Sequence, residues 1–189
     1  MRVLRLYWFR AKPNFGDALS PLICECLAGR PIVYAARWWC DLVAVGSLLH
    51  RFREGYLLPR VHVWGTGFIK ERLPRRDRFY YHAVRGPLRA QIIQGRSITT
   101  FGDPVLLVDL LWPELKKTPK RHRVGLVPHY MDRTDPRVET LANSLPGCTV
   151  INVFDAAVRV LRQIAACERI LSSSLHGLVA ADALGIPNA

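Results

Sequence analysis

A run of serines, one histidine and one glycine near the end of the sequence are spaced for proton transfer to a bound anion. The stretch reads Arg169-Ile-Leu-Ser-Ser-Ser-Leu-His-Gly-Leu-Val-Ala-Ala-Asp-Ala-Leu-Gly-Ile-Pro-Asn188. Its pattern predicts a short strand over 169–171, a hydroxyl-rich turn over 172–174, then a helix opening at Gly177 and running over 178–184. A strand-to-helix turn gathers backbone N–H groups at the positive end of the helix dipole, which makes it an anion site. His176 in that turn can give a proton to whatever binds there. Ser173 and Ser174 can hold the anion through hydroxyl and backbone N–H groups, with Gly177 contributing the helix N-terminus.

Other strand ends carry further candidates, because ligands of open α/β sheets sit outside the carboxyl ends of the strands. Lys12-Pro-Asn-Phe-Gly-Asp17 opens the first helix. Asn14 and Asp17 can cap that helix, and Gly16 permits close backbone approach. Gly46-Ser47 and Gly65-Thr66-Gly67 follow two strands, so Gly65 and Gly67 leave room for a ligand against the backbone. Arg85 follows another strand and can clamp phosphate or carboxylate through its fork of donors. His129, after Pro128, faces the cleft from a second domain. Arg89 reads as a solvated helix residue, and His50, His62, His82 and His122 as structural or exposed. No Gly-x-Ser-x-Gly elbow, P-loop or G-x-G-x-x-G fingerprint occurs. Ser174 and His176 have no acid partner that would make a hydrolase triad.

The elements that position these residues alternate as strand and helix, the mark of βαβ units. Strands are expected over 3–9, 31–34, 42–45, 61–64, 80–84 and 97–101, with helices over 16–27 and 88–94. Pro21 is placed near the first turn of the earlier helix. A basic segment with two prolines, 112–123, reads as a linker. A second series follows: strands 124–127, 148–153 and 169–171, helices 137–145, 156–166 and 178–184. The expected organisation is therefore a first domain over 1–111, the linker, and a partial second domain over 124–189. The second series is short for a doubly wound sheet and stops as a new strand begins, so the parent protein is expected to be longer.

The chain has 189 residues, half of them hydrophobic and 22% charged, an ordinary globular composition. No apolar run approaches the roughly 20 residues of a membrane helix, and no secretory leader is legible in Arg2, Arg5 and Tyr7-Trp-Phe9. Cys24, Cys26, Cys40, Cys148 and Cys167 are scattered and read as buried free thiols of a reducing cytoplasm. No grouping has metal-ligand spacing, so no metal is expected. The net charge of +12 points to anionic partners. It concentrates at Arg72, Arg75, Arg76 and Arg78, and at Lys116, Lys117, Lys120, Arg121 and Arg123, both taken as loops. These suit a solvated surface or anionic lipid head groups. The aromatic-basic sheet or recognition helix of a nucleic-acid binder is missing, so no nucleic-acid partner is expected.

Six motifs occur in the order that resembles the polysaccharide pyruvyl transferase family, with the likeness strongest to succinoglycan-type exopolysaccharide enzymes of bacteria. They are Asn14-Phe-Gly-Asp-Ala-Leu-Ser-Pro21, Val63-Trp-Gly-Thr-Gly-Phe68, Val84-Arg-Gly-Pro87, Gly102-Asp-Pro104, Gly125-Leu-Val-Pro-His129 and Ser173-Ser-Leu-His-Gly-Leu178. The resemblance implies an α/β, GT-B-like fold of two Rossmann-like doubly wound domains, the second incomplete here. It implies phosphoenolpyruvate as co-substrate with no bound cofactor, and a saccharide acceptor that could be lipid-linked, in the cytoplasm or at the inner membrane face. On that likeness His176 is the general acid, and Arg85 grips the donor with Ser173, Ser174, Gly177 and His129. Asn14, Gly16, Asp17, Gly65 and Gly67 line the acceptor side or cleft. Many members have Arg-Leu-His where this chain has Ser174-Leu-His176, which removes one expected donor-binding arginine. Two rival readings share the fold: a GT-B nucleotide-sugar glycosyltransferase, or an inactive fragment of either enzyme.

Overall fold

The computed structural model describes residues 3–52, 58–69, 78–93 and 97–189, with the side chain of Arg89 excepted. Arg2, Arg72, Arg75, Arg76 and Gln94 lie outside the described residues. The chain divides into two compact units. One comprises Met1–Ala11 with Ser20–Pro104, the other Lys12–Leu19 with Val105–Ala189. The division thus falls after Pro104, and the first turn of the first helix belongs with the later unit.

The first unit holds a parallel sheet of β1 (Leu4–Tyr7), β2 (Ile32–Tyr34), β3 (Leu42–Val43), β4 (Val61–Trp64) and β5 (Phe79–Ala83), in the order β2-β1-β3-β4-β5. Alternation sets the faces: Val61 and Val63 of β4 are buried while His62 is exposed. One face carries the larger core, with Tyr7, Val43, Val63, Phe52, Phe68 and Phe79 at its centre. Leu6, Cys24 and Ala44 pack on the other, where α1 (Phe15–Ala28) lies. Pro21 sits in the second turn of α1 and cannot donate to the Asp17 carbonyl, yet the helix continues through it. A short helix, α2 (Pro87–Ile92), starts on Pro87.

Two expectations change here. Residues 97–101 do not form a strand: only Phe101 pairs, through a single bridge to Val84, and Gly102 (φ 151°) with Pro104 ends the ladder. Arg78 is no loop cation. It is buried, and its guanidinium donates to the carbonyls of Pro59 and Arg37, which tie the entry of β5 to two preceding loops.

The second unit holds β6 (His122–Val127), β7 (Cys148–Val150) and β8 (Cys167–Ser172), parallel, in the order β7-β6-β8. Asn188 adds one parallel bridge to Ile170 beside β8. The helices are α3 (Val108–Leu111), α4 (Pro136–Ser144), α5 (Ala157–Ala165) and α6 (Leu175–Ala183). Asp135 caps α4 by accepting from the Arg137 amide, and the Arg137 guanidinium holds its carboxyl down to about 2. α5 buries Val160, Leu161 and Ile164 on one stripe and exposes Arg159 and Arg162.

The basic segment 112–123 is not an open linker. Pro113–Lys117 forms a 3-10 turn whose Leu115 is buried, and Lys120 Nζ donates to the carbonyls of Ala165 and Cys167 at 2.8 Å each. Three thiols are buried as expected: Cys24 and Cys40 are pushed up to about 12, and Cys167 to about 11, chiefly by desolvation. Cys26 is exposed and Cys148 half-buried. No helix among the described residues is long and apolar enough to cross a membrane.

Candidate functional site

The chemistry-bearing residues gather in two clusters, one in each unit. In the second unit, β8 runs into α6 through Ser173 and Ser174. The helix opens at Leu175, two residues before Gly177, where the sequence pattern opens it. Ser174 takes the extended N-cap conformation, and its carbonyl accepts from the amides of Gly177 (3.0 Å) and Leu178 (3.3 Å). Gly177 is therefore inside the first turn, and its N–H is committed to the helix. A Cβ there would overlap Ser172 Oγ and come 2.9 Å from Val127 Cγ1. Only glycine lets the turn close this tightly on β6.

His176 is the second residue of α6 and is 9% exposed. Its imidazole lies against the backbone of Gly16: a Cβ on Gly16 would overlap Nδ1 and Cγ of the ring. The loop before α1 is fixed by its own hydrogen bonds. Asn14 Oδ1 accepts from the Gly16 amide at 2.9 Å, Asn14 Nδ2 donates to Asp17 Oδ2 at 2.5 Å, and the Phe15 amide donates to the Val153 carbonyl at 3.0 Å. Asn14 is thus the cap, and buried Asp17 braces it. The Asn14-to-Asp17 motif and the Leu-His-Gly motif form one packed cluster.

The hydroxyls of Ser172 and Ser173 are engaged in holding the turn. Ser172 Oγ donates toward the carbonyls of Val127 (2.9 Å) and Ser174 (2.8 Å), and accepts from the Ser174 amide at 3.0 Å. Ser173 Oγ accepts from the His129 amide at 2.8 Å and donates to Asp132 Oδ2 at 2.9 Å. His129 Nδ1 accepts from the Met131 amide at 3.4 Å, and its ring stands 4.2 Å from that of Tyr130. Lys12 Nζ lies 5.5 Å from the Tyr130 ring centroid, which brings a cation to this cluster that the sequence reading did not single out. A hollow of about 430 Å³ opens at the carboxyl ends of β6 and β8, bordered by Pro128, Asp132, Val138, Leu141 and Ser173.

In the first unit, Arg85 sits at the carboxyl end of β5. Its Nε donates to Asp103 Oδ2 at 3.0 Å and its Nη1 to Ser47 Oγ at 3.1 Å, while Nη2 is buried without a hydrogen-bond partner among the described residues. Asp103 is almost fully buried, so the guanidinium is held in one orientation. Gly65 (φ 78°) passes beside Gly102 and Pro104: a Cβ would overlap Pro104 Cδ and stand 2.7 Å from the Gly102 carbonyl oxygen. Thr66 is buried and donates to the Gly46 carbonyl at 2.6 Å, and Gly67 bridges Ser47. Gly65, Gly67, Arg85 and Asp103 thus converge with Ser47. Asp103 and Ser47 were not foreseen as partners of Arg85, because nothing local links residues so far apart in the chain.

Residues 8–189 match the polysaccharide pyruvyl transferase family. The chain belongs to that family. It is 30% identical over 188 residues to a succinoglycan biosynthesis protein, ExoV, of Rhizobium meliloti (strain 1021), covering 96% of this chain and 57% of that protein. It is 26% identical over 197 residues to an uncharacterised protein of Acanthamoeba polyphaga mimivirus, covering 96% and 65% respectively. The chain therefore spans about three-fifths of the length of these relatives. No solved structure matches it significantly. The six motifs of this family member divide evenly: Val63–Phe68, Val84–Pro87 and Gly102–Pro104 build the Arg85 cluster, and the other three meet at or beside His176.

Proposed function

We propose that this chain carries the donor chemistry of a pyruvyltransferase. The enzyme moves a pyruvyl group from phosphoenolpyruvate to two hydroxyls of a saccharide in exopolysaccharide synthesis, forming a ketal. The observation that carries the reading is the packing of Gly16 on the His176 ring within a chain of this family. His176 protonates the methylene carbon of the donor, which leaves an oxocarbenium-like centre at the neighbouring carbon. One sugar hydroxyl attacks that centre and loses its proton, inorganic phosphate departs, and the second hydroxyl closes the ketal. Arg85, whose Nη2 has no acceptor among the described residues, is the first unit's candidate for holding an anion, and Lys12 brings a cation to the second unit's cluster, where the resemblance implies an arginine at Ser174. A GT-B-like pairing of Rossmann-like units, a cytoplasmic setting and the lack of any bound cofactor or metal belong to the same proposal.

The test is thermal stability with phosphoenolpyruvate, with nucleotide-sugars and without ligand, since a ligand of the native state raises the melting point. Stabilisation by phosphoenolpyruvate and not by nucleotide-sugars is the expected result; the reverse would make the protein a glycosyltransferase. In the same assay Arg85→Gln should weaken phosphoenolpyruvate binding by about 10–100-fold, the loss of one charge-assisted contact of roughly 1.5–3 kcal/mol. Unchanged affinity would remove Arg85 from the site.

A further inference from the structure

Parallel sheets are normally covered on both faces. The face of the first unit's sheet that α1 covers over Leu6 continues across the register Leu6, Leu42, His62, Tyr80. Over β4 and β5, His62, Tyr80 and His82 are exposed on it. A groove of about 810 Å³ crosses this face from Leu4 on β1 to His82 on β5. With strands roughly 4.8 Å apart, four adjacent strands make it about 14 Å long. It lies away from the carboxyl-end cluster around Arg85, and none of the residues of that cluster lines it.

The floor of the groove is aromatic. His62 stands 5.3 Å from the Tyr80 ring and 5.0 Å from the nearly parallel ring of His82, with Nδ1 of His62 and Nε2 of His82 2.7 Å apart. The sheet builds this deliberately: β4 pairs Val63 with Tyr81 but Trp64 with Ala83, so His82 is the extra residue of a β-bulge. Trp64 continues the floor, and Arg60 lies over Tyr80 at 4.7 Å. Arg5 and Asp41 also line the groove and neutralise each other at 2.6 Å. Arg30 and Arg60 make no ion pair among the described residues, so the groove carries a net positive charge.

We propose that this groove binds an acidic saccharide chain of about three sugar units, apart from the site where the donor reacts. Pyranose rings present C–H faces that pack on aromatic rings, and their carboxylates suit guanidinium forks. The length of the groove exceeds any single phosphate, and its aromatic rings offer a sugar ring apolar faces that a small anion cannot use. The inference rests on the family's polysaccharide chemistry, and would seat a stretch of the acceptor polymer remote from the hydroxyls being modified.

Direct titration tests it, with oligogalacturonate as the acidic probe, a maltooligosaccharide as the neutral one and inorganic pyrophosphate as the small anion. Arg30→Ala with Arg60→Ala should weaken oligogalacturonate binding at least tenfold. Lys117→Ala with Arg121→Ala, an equal loss of charge on exposed residues elsewhere, should change it less than twofold. His82→Ala, which removes one ring of the floor, should weaken it as well. Equal weakening by the two double variants would reduce the effect to general attraction by a basic protein, and pyrophosphate binding with the same Arg30 and Arg60 dependence would make it a small-anion site; either overturns the proposal. Stabilisation of the same variants by phosphoenolpyruvate should be unchanged, which separates failure of the groove from failure of the pyruvyltransferase reading.

Discussion

His176→Ala is expected to lower pyruvyl transfer by about 10²–10⁴-fold, the range contributed by a positioned general acid, with phosphoenolpyruvate still stabilising the protein. The ring is held on two sides, by the first turn of α6 and by the backbone of Gly16. Its removal therefore deletes a group whose position is fixed rather than one that samples many rotamers. His176→Gln separates proton donation from packing, because the amide fills much of the volume and cannot act as an acid. Both variants should be equally inactive, with glutamine melting closer to the parent. The readout is acceptor-dependent release of inorganic phosphate. Turnover within tenfold of the parent in either variant would rule out His176 as the acid.

Gly65→Ala should be the most destabilising conservative change in the first unit. The left-handed backbone at φ 78° costs a residue with a Cβ about 1–2 kcal/mol. The added methyl also overlaps Pro104 and presses on the Gly102 carbonyl, an overpacking that typically costs about 1–3 kcal/mol. A combined loss of roughly 2–5 kcal/mol follows, about 5–15 °C in melting temperature for a chain of this size. Gly29→Ala is the matched control: φ is 58° and nothing lies within 4 Å of the added methyl, so only the backbone penalty applies. Chemical denaturation of the two variants compares them directly. Equal losses would mean that the Gly102-Asp-Pro104 turn does not pack on Gly65.

How far the sequence carries can be judged at particular residues. β4 was legible to the residue, because Val61 and Val63 alternate with polar His62 and the strand is one-sided. The start of α6 was not. Gly177 reads locally as the residue that opens the helix, whereas it lies inside the first turn and its lack of a side chain serves Val127 and Ser172 across the fold. Residues 97–101 have strand-like composition but only one pairing partner to reach. Arg78 looked like one of a row of surface cations, and its burial depends on carbonyls of Pro59 and Arg37 that no local pattern announces. Leu115 and the Lys120 ammonium anchor a segment whose charges and prolines otherwise read as a linker. Site residues were found one by one from strand-end position. Their pairings, His176 with Gly16 and Arg85 with Asp103, belong to tertiary structure, and a single sequence holds no record of which distant residues meet.

Every strand pairing among the described residues of the two sheets is parallel. The time course of folding inherits that fact. None of the described strands can form a hairpin early and template its neighbours, since even the pairing of Val61 with Phe79 must wait for a crossover to close. Such a chain gathers its native contacts late and slowly. While it does so, short apolar strands such as those carrying Val43 and Val63 stay unpaired and available to other chains. Yield on synthesis will then depend on temperature and chain concentration more steeply than the finished protein's stability suggests.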